Sequence, residues 1–310
     1  MTLREARLRA RLRFARARDT VPALLVRGFF GFLRLLGPQL APRVGAAVAR
    51  TLGPLTPAHR IAAANIAAAF PEQTAAWRAD VARQAWDNLG RVACEYPHLG
   101  TLWDLTEERR PDAWVTVDDA TAARFAELRA SGGPVLVFAA HLANWELPAV
   151  AAGQLGLPAS VLYRTPNNKA VARVILELRR GLMGELVPAG ITAPTRLAKA
   201  LDRGAVVGML VDQRFGRGPV VQFLGRPAAA NPLLPNLARR IDCPVRGARA
   251  IRLPDGRLRL ELTEPLEMPR DAEGRLDVDA ATQRINDVVA GWIREHPGQW
   301  LWMHRRWRWR

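Results

Sequence analysis

A histidine stands at the end of a short apolar run, and a glutamate follows five residues later: Val135-Leu136-Val137-Phe138-Ala139-Ala140-His141-Leu142-Ala143-Asn144-Trp145-Glu146. An imidazole can take and return a proton near neutral pH when a second group fixes its tautomer. The run from Val135 to Ala140 follows Gly132-Gly133-Pro134 and reads as a buried parallel strand. His141 then lies at the strand's carboxyl edge, where open α/β sheets bind ligands. A helix is expected from Trp145 to Ala152, with Glu146 in its first turn, so that the carboxylate folds back and accepts from one ring nitrogen. The same pattern also fits a histidine that caps a helix beside a solvated acid.

Other polar residues share such edges. Asp212 follows the strand-like run Ala205 to Val211, where ligand contact and a helix cap or turn are both open to it. Arg164 comes just after the candidate strand Ser160 to Tyr163, and Arg179 and Arg180 end a helix expected over Ala170 to Leu182. An arginine at these places can hold a phosphate bidentately. The plainer role for the helical pair is a cation at a helix C-terminus, worth about a few tenths of a kcal/mol.

The elements that must position these residues alternate. Val115 to Val117, Leu186 to Val187, Val220 to Phe223, Val245 to Ile251 and Leu258 to Leu262 are further strand candidates, with helical stretches between most of them. This predicts an α/β fold with a mixed, largely parallel sheet flanked by helices. Two helices, Pro57 to Phe70 and Thr74 to Glu95, precede the strands, and Asp279 to His296 is the last one. We divide the chain into a basic arm and membrane-anchoring helix over 1–38, a helical region over 39–110 that packs on the core, and an α/β core with a Trp/Arg tail over 111–310.

The 310 residues carry a formal charge of +16, and all but two of the basic residues, Lys169 and Lys199, are arginine. Arginines crowd the first eighteen residues and the end, where Arg305, Arg306, Arg308 and Arg310 interleave with Trp307 and Trp309 after Trp300 and Trp302. Aromatic and basic residues so mixed suit a headgroup layer. They also suit single-stranded nucleic acid, but no nucleic-acid-binding motif accompanies them, so no nucleic-acid partner is expected. The two cysteines and five histidines show no metal-ligand spacing, and Gly132-Gly133 lacks the lysine and hydroxyl of a phosphate loop. Neither a metal nor a cofactor is expected. Residues 21–37 are strongly apolar but broken by Arg27 and Arg34, which favours a helix lying in or obliquely entering a membrane over a clean span. The basic run before it would keep the globular body on the cytoplasmic side.

The His141-x-x-x-x-Glu146 spacing resembles that of acyltransferases acting on glycerolipids or lipid A precursors, and Asn144-Trp145-Glu146 is similar to the late, lauroyl/myristoyl type of lipid A biosynthesis acyltransferases. Further stretches resemble that family in the same order. These are Phe70-Pro71-Glu72 with its following helix, Tyr163-Arg164-Thr165-Pro166, Asp212-Gln213-Arg214, Phe223-Leu224-Gly225-Arg226-Pro227-Ala228, and Pro297-Gly298-Gln299-Trp300-Leu301-Trp302-Met303-His304-Arg305-Arg306-Trp307.

The resemblance covers nearly the whole chain. It implies an enzyme with His141 and Glu146 as catalytic pair, Asp212 as a site residue, and an arginine near the pair, with Arg180 slightly preferred over Arg179. It also implies acyl carrier protein as donor of the thioester, a phosphorylated glycolipid of the Kdo-bearing lipid A precursor type as acceptor, anionic membrane lipids as neighbours, and the cytoplasmic face of the inner membrane as location. A lysophospholipid, an ornithine lipid or a phosphatidylinositol mannoside is the alternative acceptor. The oxyanion donors are expected among backbone N–H groups at the start of the helix after His141, or on an arginine.

Overall fold

The computed structural model describes residues 3–103, 113–166 and 168–307, with side chains from Thr20 onward. Helix α1 (Leu3–Leu52) is two helices joined at Gly37, whose φ of 78° breaks the regular backbone ahead of Pro38. Then follow α2 (Pro57–Ala69), α3 (Ala75–Glu95) and the single turn α4 (Leu99–Leu102). The core runs β1 (Val115–Thr116), α5 (Asp119–Ser131), β2 (Val135–Ala139), α6 (Leu147–Gln154), β3 (Ala159–Tyr163), α7 (Lys169–Arg179), β4 (Glu185–Pro188), α8 (Ala193–Asp202) and β5 (Val206–Leu210). It ends with β6 (Val220–Phe223), β7 (Arg226–Ala229), α9 (Leu233–Ile241), β8 (Val245–Arg252), β9 (Leu258–Leu262) and α10 (Val278–Glu295).

Seven strands form one sheet in the order β1-β9-β8-β2-β5-β3-β4. All neighbouring pairs are parallel except β8 with β9, so the sheet is mixed and mostly parallel, as expected from the sequence. The strand read at Val220 to Phe223 lies outside it, in a two-stranded antiparallel hairpin with β7. Strand β5 lies between β2 and β3, although the chain visits β3 first. Ala139 is opposite Leu210 in the β2–β5 register, so the residues two positions beyond each, His141 and Asp212, leave the sheet side by side.

The residues of β2 alternate between two cores. Leu136 and Phe138 join Val207 and Met209 of β5, together with α8, α9, α10 and the C-terminal tryptophans. Val135 and Val206 face the opposite way, against Phe125 and Leu128 of α5 and Leu147 and Ala151 of α6. Helices therefore cover both faces. Local signals set the element ends. Asp118 caps α5 by accepting from the Thr121 N–H, and Gly132 closes the same helix at a φ of 58°.

Helix α1 packs on α3 at close range. A Cβ on Gly90 would overlap the Gly45 carbonyl, so both glycines are needed for the approach. Asp87 of α3 binds Arg50 of α1 and Arg91 of its own helix. The segment Thr20–Leu55 is long and apolar enough to cross a membrane and is mostly unburied. Leu24, Leu25, Phe29, Phe32 and Leu35 are exposed, Leu35 at 87%. Arg27 in this stretch pairs with Glu177 of α7. The side chains of the basic arm before Thr20, and the tail residues Arg308, Trp309 and Arg310, lie outside the described residues. The expected division at 110/111 falls among residues 104–112, also outside them.

The described part of the tail corrects the headgroup reading. Trp300, Trp302 and Trp307 are buried, and so is Arg306. The Arg306 guanidinium lies 4.5 Å from the Phe223 ring centre and donates to the Ala229 carbonyl and Asn286 Oδ1. Burial lowers its pKa to about 10. These acceptors and the aromatic face supply in the interior what phosphates would have supplied at a membrane surface. The tail is a core segment that returns to the sheet edge: Leu142 bridges to Trp300, and the Leu301 N–H donates to the His141 carbonyl.

Candidate active site

At the carboxyl edge of β2 and β5, His141 and Asp212 form a direct pair. His141 Nδ1 and Asp212 Oδ1 are 2.8 Å apart. The other carboxylate oxygen, Oδ2, accepts from the His141 backbone N–H at 2.8 Å and from Trp300 Nε1 at 2.7 Å. Asp212 is fully buried. Burial alone would raise its pKa. The charge and hydrogen bonds of His141, with a further pull from His304, outweigh burial and hold the carboxyl well below the ordinary carboxylate range. An ionised carboxylate at Nδ1 keeps the proton on that nitrogen and leaves Nε2 with a free lone pair. Gln213 Nε2 sits 3.3 Å from that nitrogen.

Glu146 does not hold the imidazole, in contrast to the expectation from spacing. Its carboxylate accepts two hydrogen bonds from Arg179, at 2.6 and 3.1 Å, and one from the Tyr96 hydroxyl at 3.0 Å. The chain between His141 and Glu146 explains the difference. Ala143 adopts a φ of 45°, and its N–H donates to the Gln299 carbonyl. The Glu146 N–H donates to the Asn144 side chain, so the turn closes on itself before α6 begins. The loop thus directs Glu146 toward α3 and α7, while the neighbouring strand brings Asp212 to the ring.

A buried network braces this turn. Asn144 donates to Glu95 at 2.9 Å, Glu95 pairs with Arg252 at 2.6 Å, and Arg252 donates to Asn88. Asn88 in turn donates to the carbonyls of Ala143 and Gln299. The non-glycine residue in the left-handed region is held by these bonds.

Of the two arginines, Arg179 is the one that faces Glu146. It binds Glu146, and its guanidinium lies 5.7 and 5.9 Å from the ring centres of Tyr96 and Tyr163. Burial would lower its pKa, but the charges of Glu146 and Tyr96 and their hydrogen bonds raise it. The Tyr96 hydroxyl is pushed up by burial first and then by Glu146, so it stays protonated as a donor. Arg180 ends α7 and is exposed, away from these contacts. Arg164 is exposed and lines the same opening as His141.

That opening leads into a cavity of about 390 Å³. Its mouth holds His141, Trp145, Tyr163, Arg164, Arg179 and Gln213. The inner walls are apolar, formed by Val137, Val161 and Val206 on the sheet and by Phe125, Leu128 and Ala152 on the helices. A polar mouth over an apolar interior suits a molecule with one reactive polar group and one aliphatic chain. The described residues contain no cluster of His, Cys, Asp and Glu able to hold a metal ion.

Tyr96, Trp300, Gln213 and His304 were not identified as site residues from the sequence. Tyr96 lies 50 positions from Glu146 and Trp300 lies 88 from Asp212, so no local spacing reports them. His304 stands edge-on to Trp300, 6.3 Å from the His141 ring, and donates from Nδ1 to the Leu301 carbonyl. Burial is the main reason its pKa is lowered, which keeps it neutral at physiological pH.

The chain matches the family model of the bacterial lipid A biosynthesis acyltransferases over residues 13–309. Comparison with curated proteins gives no match.

Proposed function

The chain belongs to the bacterial lipid A biosynthesis acyltransferases, and we propose that it moves a fatty acyl chain from an acyl carrier protein thioester to a hydroxyl of a Kdo-bearing lipid A precursor of the tetraacyl disaccharide bisphosphate type. The observation that carries this reading is the His141–Asp212 pair at the mouth of an apolar cavity. His141 Nε2 removes the acceptor's hydroxyl proton as that oxygen attacks the thioester carbonyl. The same nitrogen then returns the proton to the departing thiolate. No serine or cysteine is needed as nucleophile, so transfer occurs within one complex of donor, acceptor and enzyme.

Glu146 serves by holding Arg179 rather than His141. Neutralised on one side by Glu146 and packed between two tyrosines, Arg179 is a preorganised cation at the mouth. There a phosphate of the glycolipid or of the carrier's prosthetic group would meet a fixed guanidinium, with Arg164 as a second contact. The exposed apolar stretch of α1 favours attachment to the cytoplasmic face of the inner membrane, and the strongly basic chain suits both anionic lipids and an acidic carrier. The Arg27–Glu177 pair ties that stretch to α7, which carries Arg179.

The cavity gives the acyl chain a place between the sheet and helices α5 and α6. From the row Ala139–Leu210 near the mouth to the row Val135–Val206 deep inside is four residues along the strands, about 13 Å. With carbon–carbon bonds of about 1.5 Å, that depth takes roughly ten extended carbons below the reacting carbonyl. Gly208 lies midway, paired with Val137 and Val161. A Cβ there would meet only Val161 Cγ2 at 4.0 Å, so larger side chains enter the cavity without breaking the sheet. Gly208→Val is expected to shift the preferred donor to chains shorter by roughly two to four carbons. Competition among thioesters of graded length, read by product mass, checks this; an unchanged preference places the chain elsewhere.

Incubating the detergent-solubilised protein with acyl carrier protein thioesters and either the lipid A precursor or a lysophospholipid tests the proposal. One added acyl chain on the precursor supports it. Transfer to the lysophospholipid alone overturns the acceptor and leaves the His141 chemistry in place.

A further inference from the structure

We infer that Gln213 is a catalytic residue of this site, the side chain whose amide N–H stabilises the oxyanion formed from the thioester carbonyl. The inference rests on the acyl-transfer reading above and supplies the group that the reaction needs where charge develops.

At the turn where backbone donors were expected, most N–H groups are engaged within the protein. The His141 N–H is given to Asp212, the Leu142 N–H to the Ala140 carbonyl and the Ala143 N–H to the Gln299 carbonyl. The N–H groups of Glu146 and Leu147 go to the side chain and carbonyl of Asn144, and residue 148 is a proline. Arg179 spends its Nε and Nη2 on Glu146. Directly beside the reactive nitrogen lies Gln213, with its Nε2 at 3.3 Å from His141 Nε2.

Its placement is fixed at one end and free at the other. The preceding residue, Asp212, is anchored by three hydrogen bonds from His141 and Trp300. The Gln213 side chain itself is exposed and lines the cavity mouth. Before substrate arrives, its amide donates to the lone pair on Nε2. An attacking hydroxyl must take that position, about 3 Å from the nitrogen. The displaced amide then lies next to the carbonyl under attack, with donors no longer engaged. As the oxygen–carbon bond forms, the carbonyl π pair moves onto its oxygen, where the Gln213 N–H meets it. The hydroxyl proton passes to Nε2. When the pair returns, the carbon–sulfur bond breaks and the thiolate takes the proton back from Nε2.

Steady-state kinetics of Gln213→Ala with both substrates varied tests this. We expect kcat to fall by about 10²- to 10³-fold, with both KM values within about threefold of the parent. Gln213→Glu should fall at least as far, since it places an anion where an anion develops. A residue that merely fills the mouth predicts the opposite, an unchanged or raised kcat for the alanine variant. If Gln213→Ala keeps kcat within about threefold, or loses activity only through KM, the assignment is overturned while the acyl-transfer reading stands. If the parent protein itself turns over no acyl thioester, that reading fails and the role of Gln213 with it.

Discussion

Alanine in place of His141 is expected to lower kcat by about 10³- to 10⁴-fold, the upper range for a positioned proton-transfer group, because one nitrogen serves as base for attack and as acid for departure. KM for either substrate should change little, since the ring contributes no large share of the cavity wall. The fold should persist. Asp212 keeps its hydrogen bonds from the backbone N–H at position 141 and from Trp300, so the buried carboxylate is not stranded. Equal near-ultraviolet circular dichroism of the two proteins, beside the kinetic loss, separates catalysis from stability.

Asparagine in place of Asp212 should cost nearly as much, about 10³- to 10⁴-fold in kcat. The native carboxylate accepts from three donors that converge on it. An asparagine has one acceptor oxygen, so its NH₂ must face either the imidazole or the N–H groups on the other side. Facing the ring, it drives the proton from Nδ1 to Nε2 and removes the base. Facing Trp300 and the backbone, it sets donor against donor.

The contrast with Glu146→Gln decides between the two carboxylates. Since Glu146 touches Arg179 and Tyr96 rather than the ring, its variant should lose less in kcat and show a larger rise in KM for the phosphorylated substrate. The reverse order would restore the orientation of His141 by Glu146. A stability measurement gives a second check. A carboxyl whose folded pKa is depressed adds stability that is present above its unfolded pKa of about 4 and disappears as pH falls through the lower folded value. The Asp212→Asn protein should therefore lose less stability than the parent on acidification below about pH 4.

Much of the fold could be read from the chain because its strands are short apolar runs between helices. The run ending at Ala140 and the run ending at Val211 both carry a polar residue at their carboxyl ends, which marked His141 and Asp212 separately. Their pairing could not be read. It depends on β5 inserting between β2 and β3, a choice made by packing on both faces and not by either strand alone. Strand β7 escaped notice because Arg226-Pro227-Ala228-Ala229 is neither alternating nor β-branched, and it forms only as the return arm of a hairpin.

Spacing placed Glu146 near His141 along the chain but gave no direction. That direction depends on a left-handed residue at Ala143, held by Asn88 and Gln299 from distant parts of the sequence. The tail misled for a related reason. Alternating tryptophan and arginine has the composition of an interface, and its burial depends on Asn286, Ala229 and Phe223 being ready to receive Arg306.

The proposed reaction is direct acyl transfer with His141 as the proton carrier. A single turnover answers it: enzyme in excess over acyl carrier protein thioester and lipid A precursor, quenched in acid, with protein and lipid weighed by mass spectrometry. We expect a precursor heavier by one acyl chain, a protein of unchanged mass, and no heavier lipid from the His141→Ala protein over the same interval. An acyl group on the protein, or acylated lipid formed by the variant at the parental rate, would contradict it.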